Sequence, residues 1–566
     1  MNGLFRRQGG ERDIVRLQWW FRCAFALCAL IDCWMCRFSI DPDSMFYMDM
    51  GDQYWKGNWH AALNSYWSPL YGWLTGLMFR ATKPSMRWEY PEVHLLNFAI
   101  FVATLFCFEF FWRELLASRG DKAWAGVSRL YVWVLGYLLF ACVLFGADAL
   151  AMVLPDLLVA ALVLLSSGMM LRFMAGRMGT ASALLLGILL GAGYLAKAAM
   201  LPFAFIAMTT MFVFAWRHHR RKSLIAASLL GFLSVAGPFV TALSLNLHRF
   251  TFGDSAKLNQ GWYVNGVNPR PRHWQGDDIG HTDAQHPTRR VFAWPEVYEF
   301  ATPVEGTYPP GYDPAYWYAG LDSSVHPVRE AKALSRNMGS IDEYFSRHMG
   351  FLTAVLLMMC SLSGRVKDVW RQFVSLWPIL VPAVAVFMMY AMVYWEQRYT
   401  FGMMLVLCGA VMASTSILGE EWRTYVLRAA SLTLGSMVVC WVLPSLMWGG
   451  YRHSEMSAQQ VVVAERLRTM SIEPGDRVAL IGDGFVEYWA RLEKVRIVAE
   501  VPDVMEAGGA DSAAAFWDSN PEIEQEVLNI LKSTGAKAVV AANPPRVLPP
   551  GWVEIGNTRH AVYLFR

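Results

Sequence analysis

Residues 181–222 read ASALLLGILLGAGYLAKAAMLPFAFIAMTTMFVFAWRHHRRK. Two apolar runs flank a single lysine, Lys197, and the second ends in Arg217, Arg220, Arg221 and Lys222. About 20 mostly apolar residues carry an α-helix across a bilayer. Inside hydrocarbon every backbone N–H and C=O must be satisfied within the segment, and a helix does that. The stretch therefore predicts a pair of membrane helices with a nearly uncharged turn on one side and a strongly basic end on the other.

The same pattern recurs along the chain. Spans are expected near 18–39, 92–112, 130–146, 149–169, 181–197, 200–216, 223–245, 348–363, 373–394, 399–418 and 425–447. The first is too long for a cleaved leader, and no small-residue cleavage site follows it. Of the 566 residues, 55% are apolar and 17% charged, against about a quarter charged in soluble domains. With a net charge of only +3, nothing suggests a nucleic-acid surface. The 9 cysteines all lie in apolar stretches. Cys33 and Cys36 form a CxxC, read as two small apolar residues of a membrane helix rather than a metal or redox pair. The fold class is a polytopic α-helical membrane protein with about eleven transmembrane helices and a small extracytoplasmic α/β C-terminal domain.

Orientation follows from Lys and Arg in the short loops, which favour the cytoplasmic side. Arg6, Arg7, Arg12 and Arg16 precede the first span; Arg113, Arg119, Lys122 and Arg129 follow the second. Later loops of the same parity carry Arg172 and Arg177, then the 217–222 cluster, then Arg365, Lys367 and Arg371. The intervening turns carry only Lys197 and Arg398. The N-terminus is expected in the cytoplasm and the C-terminus outside. Segments 40–91 and 246–347 then become large outer loops of a membrane domain spanning 1–448, and 449–566 an outer soluble domain. Loops of that size are commonly functional.

The first outer loop opens with Asp41-Pro42-Asp43-Ser44 and continues through Tyr47, Gly57-Asn58-Trp59 and Ser68-Pro69-Leu70-Tyr71. Residues 43–56 and 69–80 read as helices, the second apolar but too short to span, so lying in the interface. Asp43 with Tyr47, Gly57-x-Trp59 and Ser68-Pro-Leu-Tyr71 resembles the first outer loop of GT-C glycosyltransferases. The nearest comparison is the bacterial branch with lipid A aminoarabinose transferases and protein O-mannosyltransferase-like enzymes. Those carry Asp-Glu-x-x-Tyr, Gly-Asp-Trp and Pro-Pro-Leu-Tyr-like elements; here Ser44 stands where Glu is usual. The resemblance implies a polyprenyl phosphate sugar as donor and Asp43 as general base. An acceptor hydroxyl must lose its proton as it attacks the anomeric carbon, and a carboxylate can take it. The alternative for Asp43 is to cap the helix beginning near Ser44. Asp41 is the second candidate base. Asp49 and Asp52 read as solvated helix-face residues.

Other ionisable residues stand at the outer membrane edge, where each is a functional candidate. Asp148 leans structural; Asp156, in Pro155-Asp156, either caps a span or serves the site. Lys197, in a Gly-x-x-Tyr-Leu-x-Lys segment similar to one common in these transferases, meets a lipid phosphate or snorkels to the headgroups. Tyr394-Trp-Glu396-Gln-Arg398-Tyr399 resembles a late outer motif of the family. Arg398 binds the donor phosphate bidentately or anchors at the interface beside Glu396. The loop 246–347 is rich in aromatics, Pro and Gly, which suit either sugar stacking or packing of the loop on itself. His281, His286, Arg289 and Arg290 match no metal spacing and read as a solvated basic face.

In the tail, 456–469 reads as a helix; Val478–Asp483, Val495–Ala499 and Ala538–Ala541 as buried strands; 553–555 and 561–565 as a closing hairpin. Gly482-Asp483-Gly484 lacks the third glycine of a dinucleotide fingerprint. The expected activity is transfer of a sugar, with inversion, from a polyprenyl phosphate to a hydroxyl of a carbohydrate, lipid or protein acceptor. It is placed on the outer face of a bacterial inner membrane, in contact with membrane lipid. No cofactor is expected; a divalent metal is not favoured because Ser44 removes a second carboxylate. The competing classes are a lipid or solute transporter, which predicts repeats and interrupted helices, and a non-catalytic envelope-assembly protein.

Overall fold

The computed structural model describes residues 2–119, 129–147, 149–267, 289–300, 305–318, 321–363, 366–415, 420–503 and 511–565. Its first ten helices are α1 (Asn2–Met35), α2 (Pro42–Lys56), α3 (Trp59–Ala62), α4 (Pro69–Thr82), α5 (Met86–Ser118), α6 (Arg129–Leu144), α7 (Asp156–Met174), α8 (Thr180–Ala196), α9 (Met200–Arg217) and α10 (Ser223–Asn246). Among the described residues, 6 helices are long and apolar enough to cross a membrane. Val366–Ser375 and Trp377–Val393 together qualify as another, bent by 83°. Shorter apolar helices occupy Arg129–Leu144, Thr180–Ala196 and Gly350–Ser361. The chain is thus a multi-pass helical membrane protein, with several of the expected crossings carried by short or bent helices. Exposed Trp19, Trp20, Leu27, Leu30 and Ile31 on α1 give it an apolar outer face that suits lipid.

Two expected spans differ in detail. The one placed at 149–169 begins at Asp156, because the preceding residues to Pro155 are non-helical. The one placed at 373–394 is broken at Leu376, where Trp377-Pro378 starts a new helix; proline fits the first turn of a helix and not its interior.

Helix packing in the membrane depends on small residues that let backbones approach. α8 crosses α10 at Gly187, where an added Cβ would lie 1.8 Å from the Ser228 carbonyl oxygen. Ser228 Oγ donates across the pair to Ala183 O at 2.9 Å. At the end of α5 that carries Ser118, Glu114 pairs with Arg172 and Arg177, both at 2.7 Å. These arginines belong to the basic loops assigned to the cytoplasmic side.

At the other end sits a seven-stranded sheet, ordered β1-β2-β4-β3-β5-β7-β6. β3 (Arg477–Gly482), β4 (Arg496–Pro502), β5 (Ala538–Ala542) and the hairpin β6 (Trp552–Glu554) and β7 (His560–Leu564) come from the tail, at the positions the sequence suggested. β1 (Arg289–Phe292) and β2 (Val297–Glu299) come from the second outer loop and extend the sheet through β4. Arg289 and Arg290 are therefore strand residues, paired with Glu299 and Glu296. The helix expected over 456–469 is the end of a longer one, Leu443–Thr469, that runs unbroken from the last apolar segment into the sheet domain.

The same loop inserts Tyr308 against Gly484, leaving no room for a Cβ there. Tyr308 Oη donates to Glu500 Oε2 at 2.8 Å, and Gly484 N donates to Oε1 at 2.9 Å. Burial, and then the charge of Asp483, push the Glu500 carboxyl up to about 8. Folded Glu500 thus keeps a proton that the unfolded chain has lost above its ordinary 4.5. Stability linked to this group is present below that value and is lost as pH rises through about 8. Glu500→Gln, a neutral isostere, is expected to raise the thermal midpoint at about pH 9 and leave it unchanged at about pH 4. Thermal denaturation in detergent, read by size-exclusion recovery, measures this.

Candidate active site

α2 begins where the sequence makes a helix cheap to start. Asp41 is the N-cap, its Oδ1 accepting from Asp43 N at 3.1 Å, while Ser44 Oγ accepts from Asp41 N at 3.1 Å. Pro42 occupies the first helical position. The helix ends at Gly57 in the left-handed region, φ 80°, which glycine adopts without strain. The capping alternative for Asp43 is thereby replaced: Asp41 is the cap, and the Asp43 side chain is left for other work. Ser44 also has a role, since its side chain completes the capping box.

Four carboxyls and two cations meet around that first turn. Arg398 lies on the short 3-10 turn Gln397–Thr400, its side chain only 10% exposed. Its Nε donates to Glu396 Oε2, and its Nη1 lies 4.0 Å from Asp41 Oδ2. Tyr394 Oη donates to the other Glu396 oxygen at 2.8 Å. Asp156 is the first residue of α7 and makes no cap; its Oδ1 pairs with Lys197 Nζ at 2.6 Å. Lys197 closes α8 and stands 3.7 Å from the centre of the Tyr399 ring. Its ammonium is held by Asp156 within the cluster. Tyr399 lies between the two cations, 5.0 Å from the Arg398 guanidinium carbon. Tyr47 is buried on α2, edge-on to Trp67 and Tyr71. Asp148 lies outside the described residues.

Asp43 responds to this company. Burial first, and then the negative charge of Asp41, push its carboxyl up to about 7; Arg398 and Lys197 pull the other way. Asp41 is also raised, by burial, with Arg398 opposing. A carboxyl near 7, beside two cations, can accept a proton from a hydroxyl at neutral pH. Among the described residues no group of three or more His, Cys, Asp or Glu is set to hold a metal ion.

Comparison with known proteins gives a likeness of fold. No family model and no curated protein matches the chain. Among solved structures it is similar to ArnT from Cupriavidus metallidurans in the apo state, at 12% identity over 96% of both chains, with a TM-score of 0.49. It is similar to the same protein bound to undecaprenyl phosphate, again 12% identical over 96% of both chains, with a TM-score of 0.48. It is also similar to the apo oligosaccharyltransferase of Archaeoglobus fulgidus, at 12% identity over 93% of this chain and 70% of that one, with a TM-score of 0.47.

Two sets of residues escaped the sequence reading. Tyr263, on the turn Gln260–Val264, stacks on Tyr394 with ring centres 4.0 Å apart and planes 11° apart. Burial, and then the charge of Asp43, raise its hydroxyl to about 12. The aromatics Tyr308, Tyr312, Tyr316 and Trp317 of the same loop are buried, Tyr308 against the tail and Tyr312 and Trp317 against the first outer loop. The second set corrects an expectation. Asp49 and Asp52 are not solvated: Arg491 Nη1 donates to both at 2.8 Å, and its Nε to Glu89 at 2.8 Å. Asp49 also accepts from Thr307 N at 2.7 Å and Thr307 Oγ1 at 2.9 Å. No local pattern reveals such a cluster; its partners are up to 442 positions apart.

Proposed function

We propose that the protein is a membrane glycosyltransferase that moves a sugar from a polyprenyl phosphate to a hydroxyl acceptor on the outer face of a bacterial inner membrane. The observation that carries this is Asp43: an uncapped carboxyl near 7, grouped electrostatically with Arg398 and Lys197 at the membrane edge. Asp43 takes the acceptor's proton as its oxygen bonds to the anomeric carbon. The bond from that carbon to the donor phosphate oxygen breaks on the opposite face, which inverts the centre. The leaving phosphate keeps the electron pair, and its charge falls to Arg398, with Lys197 beside it. With those cations in place the reaction needs no divalent metal, and a chelator leaves its rate unchanged. Asp41 orients Asp43 and Arg398; Glu396 holds the guanidinium. The acceptor is a carbohydrate, lipid or protein hydroxyl.

The basic loops support a cytoplasmic N-terminus, with this cluster and the C-terminus outside. Sugar nucleotides are absent there, so the activated sugar arrives on a lipid. The broken helix at Leu376 is the feature a transporter would share. The helix Trp377–Val393 separates it from Glu396 and Arg398 by about 26 Å along the helix axis. That is remote from the charge cluster, where a transport site would bring them together.

Arg398→Gln tests the phosphate clamp. A charge-assisted pair contributes about 1.5–3 kcal/mol. Affinity for undecaprenyl phosphate is expected to fall by about 10–100-fold, measured by titration of the purified protein in nanodiscs. Unchanged affinity would remove Arg398 from the clamp.

A further inference from the structure

We infer that Arg491 is a positioning residue of the transfer reaction: from the C-terminal domain it fixes α2, and with it Asp43, relative to the membrane helices. The inference rests on the proposed role of Asp43. One face of α2 packs closely on α4 through Gly51, Gly72 and Gly76, while its first turn projects into a cluster of charges. Its later turns are gripped from the tail. Arg491 is 3% exposed and ties Asp49 and Asp52 of α2 to Glu89 at the start of α5. Lys494 adds a contact to Glu89 at 3.8 Å. One planar guanidinium thus sets the distance between two helices, which the compact ammonium of a lysine does less well.

Further contacts make the grip a continuous surface. Tyr90 Oη donates to Tyr488 O at 2.8 Å. The Phe46 and Phe485 rings meet edge to face at 6.0 Å. The second outer loop holds the same carboxylate through Thr307, while its strands β1 and β2 extend the tail's sheet. Asp49 follows Asp43 by six positions, about 9 Å along the helix axis. A rigid α2 passes any tilt at Asp49 directly to Asp43. A 1 Å misplacement of a reacting group can cost about 10²-fold. The tail is therefore part of the catalytic unit.

The test uses the full-length protein in nanodiscs, with Arg491→Gln, Arg491→Lys and the milder Asp52→Asn. Hydrogen exchange of the α2 amides reports its order without any substrate. Undecaprenyl phosphate titration and transfer of labelled sugar from its phosphosugar report the site. Arg491→Gln is expected to speed α2 exchange about tenfold and cut the transfer rate per folded molecule about tenfold or more. β5 amides stay protected, which certifies the tail's fold. Arg491→Lys recovers part of both losses, and Asp52→Asn shows a smaller version of each. Unchanged α2 exchange in Arg491→Gln overturns the inference, as does equal loss of protection in α2 and β5 in all three variants. If wild type neither binds undecaprenyl phosphate nor transfers sugar, the functional reading fails. The exchange data then still decide whether Arg491 orders α2.

Discussion

Asp43→Asn is expected to lower the transfer rate by about 10²–10⁴-fold, the range for removing a general base. The variant keeps the size and most of the hydrogen bonding of the carboxyl but cannot take the acceptor's proton. Folding should survive, because Asp43 is not the cap of its helix; Asp41 is. Donor affinity should change little, since the cations that hold the phosphate stay in place. The expected signature is a fall in kcat with KM for the phosphosugar nearly unchanged, measured on purified protein with labelled donor. The pH profile adds a second reading. With Asp43 near 7, the wild-type rate climbs as pH rises through about 7 and the carboxyl loses its proton. That limb disappears in the residual activity of Asp43→Asn. Full activity in the variant would exclude Asp43 as the base.

Gly51→Leu is expected to be the most damaging change in α2. A Cβ at 51 would lie 2.5 Å from Gly72 O and 3.0 Å from Gly76 N on α4, both backbone atoms that cannot rotate away. Gly72 and Gly76 present the matching hollow: a Cβ at 76 would lie 2.7 Å from Gly51 O. The crossing of α2 on α4 is therefore built from backbone meeting backbone. Overpacking of a tight interior costs about 1–3 kcal/mol and at times more, and a leucine here should reach about 3 kcal/mol. Gly51→Ala should show a smaller loss of the same kind. The midpoint of heat-induced aggregation in detergent gives the stability, and transfer per recovered molecule gives the effect on the site. Both should fall, because α2 must leave α4 to admit the side chain.

The parts of this molecule that sequence reading recovers are those written locally. Apolar runs bracketed by arginines gave the membrane class, since the bilayer imposes one constraint on every span. The Asp43–Tyr71 pattern brought out the helices of the first outer loop, and short runs such as Val478–Ile481 marked buried strands of the tail. Asp41, Asp43, Asp156, Lys197, Glu396 and Arg398 were singled out one at a time as charges at the membrane edge; the fold brings them together. What stayed hidden depends on meeting at a distance. Asp49 resembles any acidic residue on a short helix until Arg491 arrives from the far end of the chain. Tyr263 is one aromatic among many in its loop; only its stacking on Tyr394 sets it apart. The break at Leu376 had a signal, Trp377-Pro378, that the apolar composition around it masked.

The helix Leu443–Thr469 makes the connection between bilayer and sheet a shaft without a joint. Each residue of an α-helix advances it by about 1.5 Å and turns it by about 100°. Adding or removing one residue in its outer half would swing the whole tail around that axis, carrying Arg491 away from the acidic partners it must meet. Chimeras that exchange this tail must therefore preserve helical phase as well as length, and a flexible spacer inserted there would disconnect the two halves even with every side chain intact.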